Sequence, residues 1–356
     1  MFKLETFQRK LRLNKLEEYL KKQNADYFLT SLEHEIYYFT GAYVEGYFLF
    51  GKNYDLLFTS PLYYEDAFRQ SLAAETICSK KDFSNEFRKI LRSIPAGKIL
   101  VSNQERLGTY LVVKRTGHRI KVAATQSLRA IKDDREIESI KKAYEIIEKA
   151  ILEALSVVKE GISELDLKAE ISYRARRAGA ETDSFEYIVV FGEKSSVPHA
   201  KTGLRKLKSG DLILIDAGVK YGGYCSDITR CFFFGKNNDE ISKYYRFLRQ
   251  AQEIAIEALK EGIKLKNADH AVREFFQKLN LEKNFTHSLG HGIGLEIHES
   301  PYLSQKSTDI LQAGMVFTIE PGLYFDGKYG LRLEDGYYFF EKPLKLSKLS
   351  PELIII

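Results

Sequence analysis

A two-domain α/β protein is the fold class that this sequence predicts, on three observations. The chain has 356 residues, more than twice the roughly 150 expected of one domain. Short β-rich runs alternate with amphipathic helical patterns through the first third. A polar run, Arg129-Ala130-Ile131-Lys132-Asp133-Asp134-Arg135-Glu136, then precedes a long helical pattern. The expected division is residues 1–125 and residues 126–356.

In the first domain, Leu11, Leu13, Leu16 and Leu20 among Lys, Arg and Glu predict an amphipathic helix over 7–23. Strands are expected at Tyr27-Phe28-Leu29-Thr30, Gly46-Tyr47-Phe48-Leu49-Phe50, Leu56-Leu57-Phe58-Thr59 and Lys98-Ile99-Leu100-Val101. In the second, Ile137, Ile140, Ala143, Ile146, Ile147, Ile151, Leu152 and Leu155 recur at helical steps and predict a helix over 136–158. Further helices are expected at Ser163–Ala178 and Asp239–Glu261. No solenoid period repeats along the chain.

Composition excludes several classes. Apolar residues make up 44%, with 23 Phe and 22 Tyr, which argues against intrinsic disorder. Lys plus Arg total 54 against 49 Asp plus Glu, a net +5 too mild to indicate a nucleic-acid partner. No stretch reaches the ~18 uncharged apolar residues of a membrane span, and Met1–Thr6 lacks the apolar core of a signal peptide. Cys78, Cys225 and Cys231 form no C-x-x-C pair and suit a reducing compartment. The expected location is cytoplasmic, with no membrane partner.

The chemistry starts at Asp211. Leu212-Ile213-Leu214-Ile215 reads as a buried strand ending in Asp216-Ala217-Gly218, and a second strand runs from Asp227 to Phe234. A reversal between Tyr221 and Gly222 sets Asp216 directly across from Asp227, and two opposed acids need neutralising. A second hairpin repeats the device. Its strands are Val316–Glu320 and Leu331–Glu334, its turn is Phe325-Asp326-Gly327-Lys328, and it sets Glu320 opposite Glu334. Pro321 forfeits a ladder hydrogen bond, so a bulge or edge is expected there.

Between the hairpins, His287, His291 and His298 fall within twelve positions among Gly290, Gly292 and Gly294. Burying unpaired carboxylates costs several kcal/mol each, and divalent metal is the usual remedy. Four acids carry −4 and two divalent cations carry +4, so neutrality favours two metals over one. One His among oxygen ligands leans toward manganese, with cobalt, iron and zinc left open. Such a pair holds a bridging water as hydroxide and polarises a carbonyl, which implies hydrolysis of an amide or ester.

The set Asp216 in I-D-A-G, Asp227 in S-D-I-T-R, His291 in G-H-G-I-G, Glu320 in T-I-E-P-G and Glu334 in R-L-E-D resembles the pita-bread metallopeptidases. Within them it is similar to the Xaa-Pro aminopeptidase and Xaa-Pro dipeptidase (prolidase) branch. Residues 9–70 resemble the creatinase-type N-terminal domain of that branch. The resemblance implies a creatinase-like domain followed by a pita-bread fold, and a hydrolase that cleaves before proline at the second position. It implies that Asp216 chelates one metal, that His291 and Glu320 hold the other, and that Asp227 and Glu334 bridge both. It gives His199, in S-S-V-P-H-A, a substrate-binding role and places His298 near the scissile carbonyl. His287 and Tyr324 match further family positions, Arg332 supports the metal network, and Glu320 transfers the proton. A homodimer is expected from the same likeness.

One departure is visible: relatives often read Asp-x-Arg-Tyr where this chain has Ser60-Pro61-Leu62-Tyr63-Tyr64. His34, His118 and His270 match no motif and read as surface or packing residues, and Cys225 and Cys231 as packing. Two rival readings stand beside the peptidase. One is a non-catalytic interaction protein on the same fold, and the other is an aminopeptidase without proline specificity. Dipeptidase and aminopeptidase are not separable from sequence.

Overall fold

Residues 4–235 and 238–356 are described by the computed structural model of the chain, which divides between Leu128 and Arg129 into two units.

The first unit holds strands β1 (Tyr27–Thr30), β2 (Gly46–Gly51), β3 (Tyr54–Thr59), β4 (Glu75–Cys78), β5 (Lys98–Ser102) and β6 (Arg119–Ala123). They form one mixed sheet in the order β4-β3-β2-β1-β5-β6. Helices α1 (Thr6–Lys22), α2 (Glu33–Thr40), α3 (Pro61–Gln70), α4 (Phe83–Ser93) and α5 (Leu107–Lys114) intervene. The β2–β3 hairpin turns on Lys52 and Asn53, both at positive φ (45° and 72°), as a two-residue turn matching strand twist requires. α1 departs from its leucine stripe: Leu11 is 46% exposed, while Arg9 and Arg12 are buried. Arg9 Nε donates to Phe39 O at 2.7 Å and Arg12 Nη1 to Tyr38 O at 2.9 Å. The cations thus satisfy carbonyls in the last turn of α2, where the helix dipole favours positive charge.

The second unit opens with α6 (Asp134–Ala154). The polar run ahead of it is its cap. Asp133 accepts from Arg135 N and Glu136 N, and Glu136 accepts from Asp133 N at 2.9 Å. α7 (Glu164–Arg177) follows, then β7 (Thr182–Asp183), β8 (Ile188–Phe191), β9 (Leu212–Ala217), β10 (Val219–Tyr221), β11 (Tyr224–Cys225) and β12 (Ile228–Phe233). After α8 (Asp239–Ala258) and α9 (Lys266–Lys278) come β13 (Gly290–Gly292), β14 (Glu299–Leu303), β15 (Val316–Ile319), β16 (Gly322–Phe325), β17 (Tyr329–Arg332), β18 (Asp335–Phe339), β19 (Pro343–Lys345) and β20 (Ile354–Ile355). Two sheets matter most for the site, β20-β12-β9-β8 and β14-β13-β15-β18-β19. Leu214, Phe233, Leu248, Val272, Phe317 and Leu331 belong to the core packed between these sheets and α8 and α9. Among the described residues, no helix is long and apolar enough to cross a membrane.

The first hairpin differs from its expected register. Asp216 pairs with Thr229, and Tyr221 with Tyr224, so the chain reverses at Gly222-Gly223 and not between Tyr221 and Gly222. Both glycines have positive φ, 60° and 82°. A two-residue turn of this kind needs positive φ at both central positions, which Tyr221 resists. The error shifts the pairing by two residues. Because side chains alternate with period two, Asp227 stays on the face of Asp216, now as its diagonal neighbour. The second hairpin keeps its expected register, with Ile319 opposite Asp335 and Gly322 opposite Arg332. Glu320 and Glu334 sit in the break between those ladders, where Pro321 interrupts the pairing. Glu320 N donates instead to Leu289 O at 2.8 Å, and Glu334 N to Thr229 O at 3.2 Å.

Candidate metal centre

These strand ends meet at a cavity of about 580 Å³ in the second unit. Asp216, Asp227, His199, His287, His291, His298, Glu320, Arg332 and Glu334 all line it. Asp227 and Glu334 come together because Thr229 bridges to Glu334 across 105 residues. His291 reaches the same point from β13, whose close approach to β15 needs Gly290: a Cβ there would lie 2.0 Å from Thr318 O.

Ligand atoms of Asp227, His291 and Glu334 lie within 4.8 Å of one another. His291 Nε2 is 3.6 Å from Asp227 Oδ2 and 3.6 Å from Glu320 Oε1. Those separations are too long for hydrogen bonds. They suit donors around one cation, since two atoms each ~2.1 Å from it at a tetrahedral angle stand ~3.4 Å apart. His291 Nδ1 faces Gly292 O at 3.2 Å, so the Nδ1–H tautomer leaves an Nε2 lone pair toward the acids. Asp216 Oδ1, Asp227 Oδ1 and Glu334 Oε1 are buried oxygens without a hydrogen-bond partner. Buried orphan carboxylate oxygens are costly and are what a bound cation would satisfy. The donor set therefore fits divalent metal.

Electrostatics agree. Burial, reinforced by Glu334, Asp216 and Glu320, pushes the Asp227 carboxyl far above the usual carboxylate range. Burial does the same to Glu334, with Glu320 and Asp216 adding to it. Glu320 is pushed up to about 8 by burial, against the opposing pull of Arg332. Burial, helped by His298, depresses His291 to about 3, which keeps it neutral. Without cations these acids hold protons that a metal would displace.

Around the acids runs a hydrogen-bond network that sequence reading found only in part. Arg332 Nη2 donates to Asp216 Oδ2 at 2.5 Å, Nη1 to the Tyr324 hydroxyl at 2.7 Å, and Nε to Thr229 Oγ1 at 3.0 Å. Thr229 in turn donates to Glu334 Oε2 at 2.8 Å. Tyr324 OH lies 2.9 Å from His287 Nε2, and His287 Nδ1 lies 2.8 Å from Ser288 O. One tautomer satisfies every member: Nδ1–H to the carbonyl, and Nε2 accepting from Tyr324. Burial, with Arg332 adding to it, lowers His287 to about 3. Arg332 donates to Asp216 Oδ2 while Asp216 Oδ1 has no partner, and an oxygen that accepts one hydrogen bond keeps a second lone pair that can face a cation. Thr229 was missed as a functional residue. Its signal is the period of two that puts it on the face of Asp227.

His298 packs edge-on against His291, ring centroids 4.2 Å apart, and burial followed by His199 lowers its pKa. The unmatched histidines lie elsewhere. His118 contacts Leu91 O at 2.6 Å inside the first unit, and His270 is exposed. Cys225 and Cys231 are buried and free.

Residues 138–339 match the model for metallopeptidase family M24, and residues 12–143 that for the creatinase/prolidase N-terminal domain. An uncharacterized peptidase of Methanocaldococcus jannaschii is 48% identical over 218 residues, 60% of this chain and 61% of that protein. An Xaa-Pro dipeptidase of Pyrococcus furiosus is 34% identical over 352 residues, 97% of this chain and 100% of that one. The solved Xaa-Pro dipeptidase from Bacillus anthracis superposes with a TM-score of 0.93 at 30% identity, covering 98% of this chain and 100% of the other.

Proposed function

Since the chain belongs to metallopeptidase family M24 and is a metallopeptidase, we propose that it hydrolyses the bond between a first residue and a proline, using two divalent cations. The observation that carries this reading is the trio of buried, partnerless oxygens on Asp216, Asp227 and Glu334 beside the lone pair of His291. With Arg332 in place, the four acids leave a formal −3. Two divalent cations and one hydroxide bring that to zero.

Asp216 and the pair His291 and Glu320 would hold one cation each, with Asp227 and Glu334 shared between them, and manganese suits that mostly oxygen set. When bound, the cations supply a hydroxide at neutral pH and polarise the scissile carbonyl. Glu320, on the cavity wall 3.6 Å from His291 Nε2, accepts the proton released in attack and returns it to the leaving nitrogen. His298 stands beside the scissile carbonyl to donate a hydrogen bond as charge develops on its oxygen. His199, on the cavity wall, orients the substrate. His287 is held neutral by burial and, through Tyr324, closes the network behind Arg332.

Full-length likeness to Xaa-Pro dipeptidases favours dipeptides. The test replaces Asp227 or Glu334 with Ala, then measures bound metal and the hydrolysis of Xaa-Pro and Xaa-Pro-Yaa. Metal retention and activity are expected to vanish together. Undiminished turnover by either variant would overturn the assignment, and preference for the tripeptide would overturn the dipeptidase reading.

A further inference from the structure

The cavity wall that carries His199 is a loop, and a loop positions a side chain only as well as its own ends are fixed. Its chain leaves β8 at Phe191 and returns at Gly203. Phe191 N donates to Glu164 Oε1 at 3.0 Å, and Gly203 N donates to Glu164 Oε2 at 2.8 Å. One carboxylate thus binds both ends of a segment with eleven residues between them. Lys194, from inside the same segment, supplies the countercharge at 2.6 Å from Oε2. Glu164 is the first residue of α7 and is fully buried.

The attachment is reciprocal. Glu164 N donates to Arg205 O and Leu165 N to Gly203 O, so the returning chain satisfies two of the first amides of α7. Midway along the loop, Pro198 O accepts from Arg332 Nη1 at 3.3 Å, immediately before His199. His199 itself is exposed on the cavity wall. A buried carboxylate paired with a partly exposed ammonium is weak evidence for stability. Fixing both ends of the loop is a geometric result that an apolar pair of the same volume would not give.

We infer that Glu164 is a positioning residue for substrate binding, acting through His199 by closing the loop 191–203. This rests on the reading above in which His199 orients the substrate.

The test is a double-mutant cycle on the manganese-loaded enzyme with Ala-Pro as substrate. Glu164→Gln replaces one acceptor oxygen by an NH₂ that can receive neither backbone amide. It is expected to lower kcat/KM by about ten- to a hundredfold with metal content unchanged. In a His199→Ala background the same substitution should change kcat/KM less than twofold. Lys194→Met, at a partly exposed position, should give a smaller loss with the same dependence on His199, and it serves if Glu164→Gln does not fold. Faster hydrogen exchange confined to 192–202 should accompany both. Losses that multiply with that of His199→Ala, or variants with wild-type kcat/KM, would overturn the inference. If His199→Ala alone leaves kcat/KM unchanged, the role given to His199 falls and this inference with it. That result is distinct from multiplicative losses, where only the role of Glu164 fails.

Discussion

Thr229→Val removes one hydroxyl and keeps the volume. That hydroxyl is buried and stands between two charged groups, accepting from Arg332 Nε at 3.0 Å and donating to Glu334 Oε2 at 2.8 Å. Arg332 keeps its bonds to Asp216 and Tyr324, so its loss is partial. The Glu334 side chain loses its only hydrogen-bond donor among the described residues. A hydrogen bond to a charged group contributes about 1.5–3 kcal/mol. At about 1.4 kcal/mol per tenfold, that predicts metal affinity weakened by about ten- to a hundredfold. Thr229→Ser keeps the hydroxyl and should stay within about threefold of the parent. The assay is competition with a chromogenic chelator for manganese, each variant checked for folding by circular dichroism. Equal metal affinity for the valine and serine variants would refute the argument that this hydroxyl aims Glu334.

Four further outcomes are expected. Stripping metal with a chelator should make stability fall as pH rises from about 4.5 to 8. The folded-state carboxyl of Glu320 sits near 8, above its unfolded value, so its favourable contribution is complete at low pH and lost on ionisation. Thermal melts of apo and manganese-loaded protein across that range check this, and a flat apo profile would contradict it. Arg332→Met leaves Asp216 Oδ2 without its ion pair and should lower kcat and metal affinity together, as calorimetric titration would read. Cys225 and Cys231 are buried, with burial raising their thiols to about 12 and about 11. A thiol reagent at pH 7.5 should therefore modify Cys78 alone until the protein is denatured, as intact mass would report. Gly222→Val forces a β-branched side chain to φ of 60° and should lower the melting temperature, whereas Gly222→Asn should cost less.

Much of the site was legible because strand periodicity decides the face before the exact partner is known. Misplacing the first turn by one residue moved Asp216 from its true partner Thr229 to Asp227, yet both acids stayed on one face. The second register was read correctly from a loop centred on Gly327, which the pairing of Phe325 with Tyr329 matches. What stayed hidden depends on contacts far apart in the chain. The link between Arg332 and Asp216 spans 116 residues and that between Thr229 and Glu334 spans 105, and no local pattern encodes either. The arginines under α2 were hidden for another reason, since a hydropathy stripe assigns charge to solvent and overlooks helix-end carbonyls.

The strand through Arg230 holds a further consequence, one of timing. Its guanidinium donates to Glu334 O, Leu349 O and Ser350 O, the last at a separation of 120 positions. β12 also takes β20 as its parallel neighbour. The acids therefore converge only after strands more than a hundred residues apart have paired, a slow class of event in chain assembly. A cation meets its full ligand set late. Binding there would stabilise the finished structure by mass action. Metal starvation should leave a chain that still folds, and withdrawing metal should act mainly on how fast that chain comes apart.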